Sequence, residues 1–183
     1  MGIKKYIKDY RKEDIIKPNG KPGMTATYIG KYYCYEEADE VVQKAGFRFA
    51  LLSAVALLLC VIPFCIDAKG GHTIYVALPH VITLFPLAHL LMGVYALRTR
   101  KPPLIREFRD KIEGRINTSS AAAMCGFGIT AIGQGVNCIL AGWPLLDVIY
   151  FICVAAACAA VSWVFLNRKA VRTQECDEKG NPK

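Results

Sequence analysis

Apolar residues fall in four long blocks, 47–66, 74–97, 118–140 and 145–166, with polar stretches between them. Each block is long enough to cross hydrocarbon as a helix, which takes about 20 residues. The third block is the most informative. From Thr118 to Trp143 it holds no charge, and it carries Gly126, Gly128, Gly133, Gly135 and Ala121 to Ala123. Small residues let helices approach closely in lipid, and Gln134 and Asn137 need partners there, so this helix is expected to be the inner one of a bundle. The fourth block repeats alanine from Ala155 to Ala160 and should pack on the third. Pro79 and Pro86 in the second block free backbone carbonyls that need donors. The links 67–73 and Gly142-Trp143-Pro144 are short, so they join antiparallel neighbours.

The polar stretches have their own patterns. Ile3, Tyr6, Ile7 and Tyr10 share a helical face amid lysines and arginines, which predicts a short basic amphipathic helix over 3–16, or a solvated terminus. Lys17 to Gly23, KPNGKPG, predicts a turn. Thr25 to Tyr35 is β-prone, with Gly30 as a bend, and its tyrosines suit a headgroup layer or packing against the bundle. Glu36 to Ala45 predicts a helix running straight into the first span. In the loop 98–117, Leu104, Ile105, Phe108, Ile112 and Ile116 fall on one face after Pro102-Pro103, which predicts an amphipathic helix lying along the membrane.

The expected fold class is therefore all-α: an integral membrane four-helix bundle with an interfacial amphipathic helix between spans 2 and 3. Residues 1–46 form an N-terminal cytoplasmic segment, 47–166 the transmembrane domain and 167–183 a cytoplasmic tail. Charge supplies the orientation. The N-terminal segment holds nine basic residues, the long loop seven and the C-terminal tail five, whereas the short links hold only Lys69. The positive-inside rule then places both termini and the loop in the cytoplasm of a multi-pass cell-membrane protein. The net charge of +8 lies beside apolar blocks, so it points to a bilayer with anionic headgroups and not to nucleic acid. No apolar run precedes Phe47, so no signal peptide is expected, and position 6 lacks the Ser or Thr of a myristoylation motif.

Candidate chemistry is sparse. His80, Thr83, Gln134, Asn137 and Asp147 come at similar depths or nearer the outer ends of their spans, which suggests a polar pocket open to the outside. The plainer alternative is hydrogen bonding that only fixes helix packing. His72, His80 and His89 all lie on or beside the second block, so no bis-histidine haem site forms, and no metal or cofactor is expected. Of eight cysteines, six lie in apolar blocks and none forms CxxC. The quinone-linked disulfide-forming enzymes also use a four-helix membrane core, but they carry CxxC. Cys65 and Cys138 fall near the outer ends of neighbouring spans and are the pair a thiol enzyme would use. Cys34 and Cys176, placed in a reducing compartment, should form no structural disulfide.

YIGKYYCY before the first span, ALPH in the second and IREFRDKIEGRI after it resemble uncharacterised small four-span integral membrane proteins of Gram-positive gut anaerobes, over about Tyr28 to Leu166. That resemblance implies the four-span layout and no activity. The function expected is a non-enzymatic membrane accessory or assembly partner, with a protein partner or as a homo-oligomer through the glycine- and alanine-rich faces. The alternatives are a small transporter or channel subunit and a membrane thiol redox enzyme.

Overall fold

The computed structural model describes residues 6–16, 22–179 and 181. The chain runs β1 (Tyr10–Ile16), β2 (Pro22–Tyr28), β3 (Tyr32–Tyr35), α1 (Asp39–Val61), α2 (Ile74–Thr99), β4 (Leu104–Ile105), α3 (Arg106–Ala141), α4 (Leu145–Leu166) and β5 (Thr173–Cys176). All four helices are long and apolar enough to cross a membrane. They form a closed antiparallel bundle in which α1 packs on α2, α2 on α3, α3 on α4 and α4 on α1. Phe49, Ala56, Leu87, Leu90, Phe127, Val154 and Ala157 fill its centre. The outer surface is equally apolar, with Leu58, Phe85, Ile132, Leu140, Leu145 and Leu166 exposed. Water would not tolerate so continuous an apolar surface, but lipid does.

Local chemistry sets the helix ends. Proline lacks the N–H that an α-helix needs, and α1 gives way to a 3-10 turn at Ile62–Cys65 that contains Pro63. At the end of α3, Gly142 adopts φ 75°, the N–H of Trp143 donates to the Cys138 carbonyl at 2.8 Å and that of Gly142 to Ile139. This is a Schellman closure, and Pro144 follows it. Inside α2 the Thr83 hydroxyl donates to the Pro79 carbonyl at 2.7 Å.

Four expectations need correction. First, α3 is not an inner helix. Its apolar window is 28% buried, the same as α1 and α2, because four helices in a ring leave none at the centre. Second, Tyr10–Ile16 is a strand and not part of a helix. It pairs antiparallel with β2 from Tyr10↔Tyr28 to Ile16↔Pro22, so the facing backbone groups of the two strands pair with each other, whereas a lone short helix is marginal. Residues 3–5 and most of the KPNGKPG turn lie outside the described residues.

Third, the loop carries no separate helix along the membrane. Leu104 and Ile105 form β4, and Arg106 opens a helix that continues unbroken to Ala141. No proline interrupts that stretch, and Ile112 and Ile116 begin the same buried stripe that continues through Ser119, Ser120, Ala123 and Phe127. Their apolar face therefore meets the bundle. Phe108, further out, is covered by the Arg100 guanidinium, 4.4 Å from its ring centre.

Fourth, Cys34 and Cys176 are joined in a disulfide. The cause is a sheet the linear pattern does not reveal, ordered β4-β3-β5, with one strand from each of the N-terminal segment, the loop and the C-terminal tail. Pairing of Tyr32 with Cys176 and of Cys34 with Gln174 sets the two cysteines diagonally across the ladder. All three segments thus lie at one end of the bundle, the tail end. Side chains lock this cap. Glu113 accepts from the Thr173 N–H and hydroxyl and pairs with Arg109, whose guanidinium lies 4.8 Å from the Tyr33 ring centre. Lys31 pairs with Glu175.

Close packing of α2 on α3 depends on Gly93, where a Cβ would crowd Arg115 and Ile116, and on Gly126. A Cβ at Gly126 would collide with the Thr83 side chain, whereas one at Gly128 would meet nothing within 4 Å. Gly126→Ala is expected to lower stability by about 1–3 kcal/mol through overpacking. Gly128→Ala should be neutral or stabilising by up to about 1 kcal/mol, since it only removes helix-breaking freedom. Thermal unfolding of both variants in one detergent checks this, and equal melting of the two would contradict the packing.

Candidate functional site

The five candidate pocket residues gather toward the end of the bundle that holds the short links, but they divide into three small groups. Asp147 lies in the first turn of α4, only 1% exposed. Its Oδ1 accepts from the Gly70 N–H at 2.9 Å, from Gln134 Nε2 at 3.0 Å and from Asn137 Nδ2 at 3.4 Å. Gln134 Nε2 also donates to the Asp147 carbonyl at 3.0 Å. Only the NH2 side of that amide can donate to two acceptors, so its orientation is set by its partners. Gln134 Oε1 is left without a hydrogen bond among the described residues. The backbone of Gly70 covers this amide so closely that a Cβ there would overlap it.

His80 forms the second group. It is wholly buried and bridges three helices. Nε2 donates to the Cys60 carbonyl of α1 at 2.9 Å, which leaves Nδ1 to accept the Tyr150 hydroxyl proton of α4 at 2.7 Å. One imidazole proton satisfies both bonds, so both ring nitrogens are engaged. Phe64 and Phe127 meet the ring edge-on, with centroids at 4.8 and 6.5 Å. Thr83, the third group, turns its hydroxyl back onto its own helix and packs on Gly126.

A cavity of about 380 Å³ does open at the link end. Pro63, Phe64, Cys65, His72, Ala77 and Tyr150 are among its lining residues, and none of the five candidates is. His72 pairs with Asp67 at 3.0 Å beside it. Cys65 and Cys138 remain free thiols, the first exposed and the second buried. Among the described residues no group of His, Cys, Asp and Glu is arranged to hold a metal ion.

Tyr150, Cys60 and Gly70 were missed. Tyr150 had a legible signal, three residues after Asp147 and hence on the same helical face. Cys60 acts through a backbone carbonyl and Gly70 through a backbone N–H, groups that every residue carries, so no side-chain pattern could single them out. Of the residues expected at a membrane surface, Leu104, Ile112 and Ile116 are buried, and Ile105 and Phe108 are partly covered. Compared with protein-family models, curated proteins and solved structures, the chain matches none.

Proposed function

We propose that this chain is a multi-pass membrane protein that serves as a non-enzymatic accessory or assembly partner, with both termini and residues 98–117 in the cytoplasm. The observation that carries the reading is that Asp147 and His80, both buried inside the bundle, are consumed by internal hydrogen bonds, although Gln134 Oε1 and the Ser53 hydroxyl have no partner among the described residues. Asp147 accepts three donors and His80 uses both ring nitrogens, so these residues tie helices together and offer little to a substrate. The basic tail end supports the orientation, since 21 of the 23 lysines and arginines belong to the three segments that meet there.

Two measurements test it. Alkaline phosphatase fused within residues 67–73 should be active and the same fusion after Lys183 inactive; the reverse result overturns the orientation. Full-length protein extracted in mild detergent should run in native mass spectrometry as a defined oligomer or stoichiometric complex. A monomer without a partner at cellular expression level would overturn the assembly role. The cavity reaching Tyr150 favours one second reading, a small transporter or channel subunit. That reading predicts solute flux in proteoliposomes, abolished by filling the cavity with Ala77→Trp.

A further inference from the structure

The cationic side chains of the tail end are not equivalent. Arg106, Arg109 and Lys111 have carboxylate partners in Asp9, Glu113 and Glu107. Lys44, Arg48, Arg98, Arg100 and Lys101 have none among the described residues, and they line one cleft of about 680 Å³ between the start of α1 and the end of α2. That volume lies within the range of about 300–1,000 Å³ typical of small-ligand sites. Asp39 is the one carboxylate in its lining. Aromatic faces hold two of the cations in place: Arg98 lies 5.6 Å from the Phe47 ring centre and Arg100 lies over Phe108.

A second observation is independent of charge. Tyr35, on β3, also lines this cleft. It is only 7% exposed, and its hydroxyl has no hydrogen-bond partner among the described residues. Burial, with Asp39 and Glu113 near, pushes its pKa up to about 12, so the group is a donor at neutral pH. A buried hydroxyl without a partner costs stability unless something in the cleft accepts from it.

We propose that this cleft binds a phosphate-bearing anion, with Lys44, Arg48, Arg98 and Lys101 around the phosphate and the Tyr35 hydroxyl donating to one of its oxygens. Arg100 also borders a second groove, of about 590 Å³, on the outer face of α2 and α3, lined mainly by apolar side chains such as Leu91, Met92, Tyr95 and Phe108, with Thr99, Lys111 and Arg115 also in its lining. A mainly apolar groove adjoining a cationic cleft suits a phosphodiester that carries acyl chains, an anionic phospholipid in the tail-side leaflet. The proposal goes beyond the assembly role and does not depend on it.

The test uses the full chain in zwitterionic detergent with added phosphatidylglycerol, phosphatidylcholine or inorganic phosphate, read by native mass spectrometry and by the shift in melting temperature. Phosphatidylglycerol should bind and raise the melting temperature while phosphatidylcholine does not. A matching response to inorganic phosphate alone would assign the site to a soluble phosphate instead of a lipid and would keep the cleft. Arg98→Gln with Lys101→Gln should weaken the bound anion about thirtyfold. Tyr35→Phe should weaken it about fivefold yet leave the ligand-free protein at least as stable as before, because the hydroxyl it removes has no partner there. Lys169→Gln with Arg172→Gln, at the same end but outside the cleft, should change binding less than threefold. Equal loss from the two double variants would reduce the effect to general surface attraction and overturn the site. So would the absence of any response to either anion.

Discussion

Asp147→Ala is expected to destabilise the bundle by about 2–3 kcal/mol. The Oδ1 atom it removes is the common acceptor for the Gly70 N–H, Gln134 Nε2 and Asn137 Nδ2. The link and α3 therefore lose their tie to α4 together. Each buried donor left without an acceptor costs about 1–3 kcal/mol, but hydrogen bonds between membrane helices average nearer 0.6, and Gln134 keeps the Asp147 carbonyl, so the sum falls short of the maximum. Asp147→Asn retains an Oδ1 acceptor and loses chiefly the favourable charge at the N-terminus of α4, expected to be below about 1 kcal/mol. Gly70→Ala should approach the alanine variant, because its Cβ displaces the Gln134 amide. Unfolding in mixed micelles with increasing SDS measures all three. If Asp147→Ala and Asp147→Asn unfold together, the three-donor arrangement is not what holds this end.

The second large effect concerns the tail end. Oxidised protein carrying Cys176→Ser is expected to lose about 2–4 kcal/mol relative to oxidised wild type. The disulfide closes a loop across a sequence separation of 142, for which chain entropy alone gives about 5 kcal/mol. The realised value is smaller because inserted helices persist in the denatured state and already hold both tails on one side of the membrane. Reductant should lower the wild type to the level of Cys176→Ser and leave that variant unmoved. Coincident melting of wild type and variant, with and without reductant, would sink the prediction. If the tails lie in a reducing cytoplasm, as proposed, alkylation of intact cells before lysis should find Cys34 and Cys176 as thiols, and air oxidation after purification should join them. The β3-β5 ladder and the Glu113–Thr173 bonds tie the two cysteine-bearing strands together independently of the disulfide.

The four spans were legible because hydrocarbon imposes a one-dimensional requirement, a run of some 20 apolar residues, and a linear sequence displays such runs directly. Residues 145–166 coincide with α4, and 74–97 fall two residues short of the end of α2. The forward reach of α1 to Asp39 was visible in Glu36 to Ala45 as a helical lead-in. The helical period of residues 104–116 was visible too, but not its destination. Period tells that one face is apolar, and it does not tell whether lipid or the neighbouring α2 covers that face.

What the chain alone determined, then, is that its four apolar segments are helices long and apolar enough to cross a membrane, and their antiparallel order, since each follows from local composition and short links. Tertiary structure alone decided the sheet and the polar partnerships. Strands of two and four residues are too short to show an alternation, and β3 finds its partners in β4 and in β5, near the opposite end of the chain. Likewise His80 meets Tyr150, and Asp147 meets Gly70, only after each helix has been rotated by packing of the apolar side chains around them. That rotation is a property of the whole bundle, because every helix face is set by both of its neighbours.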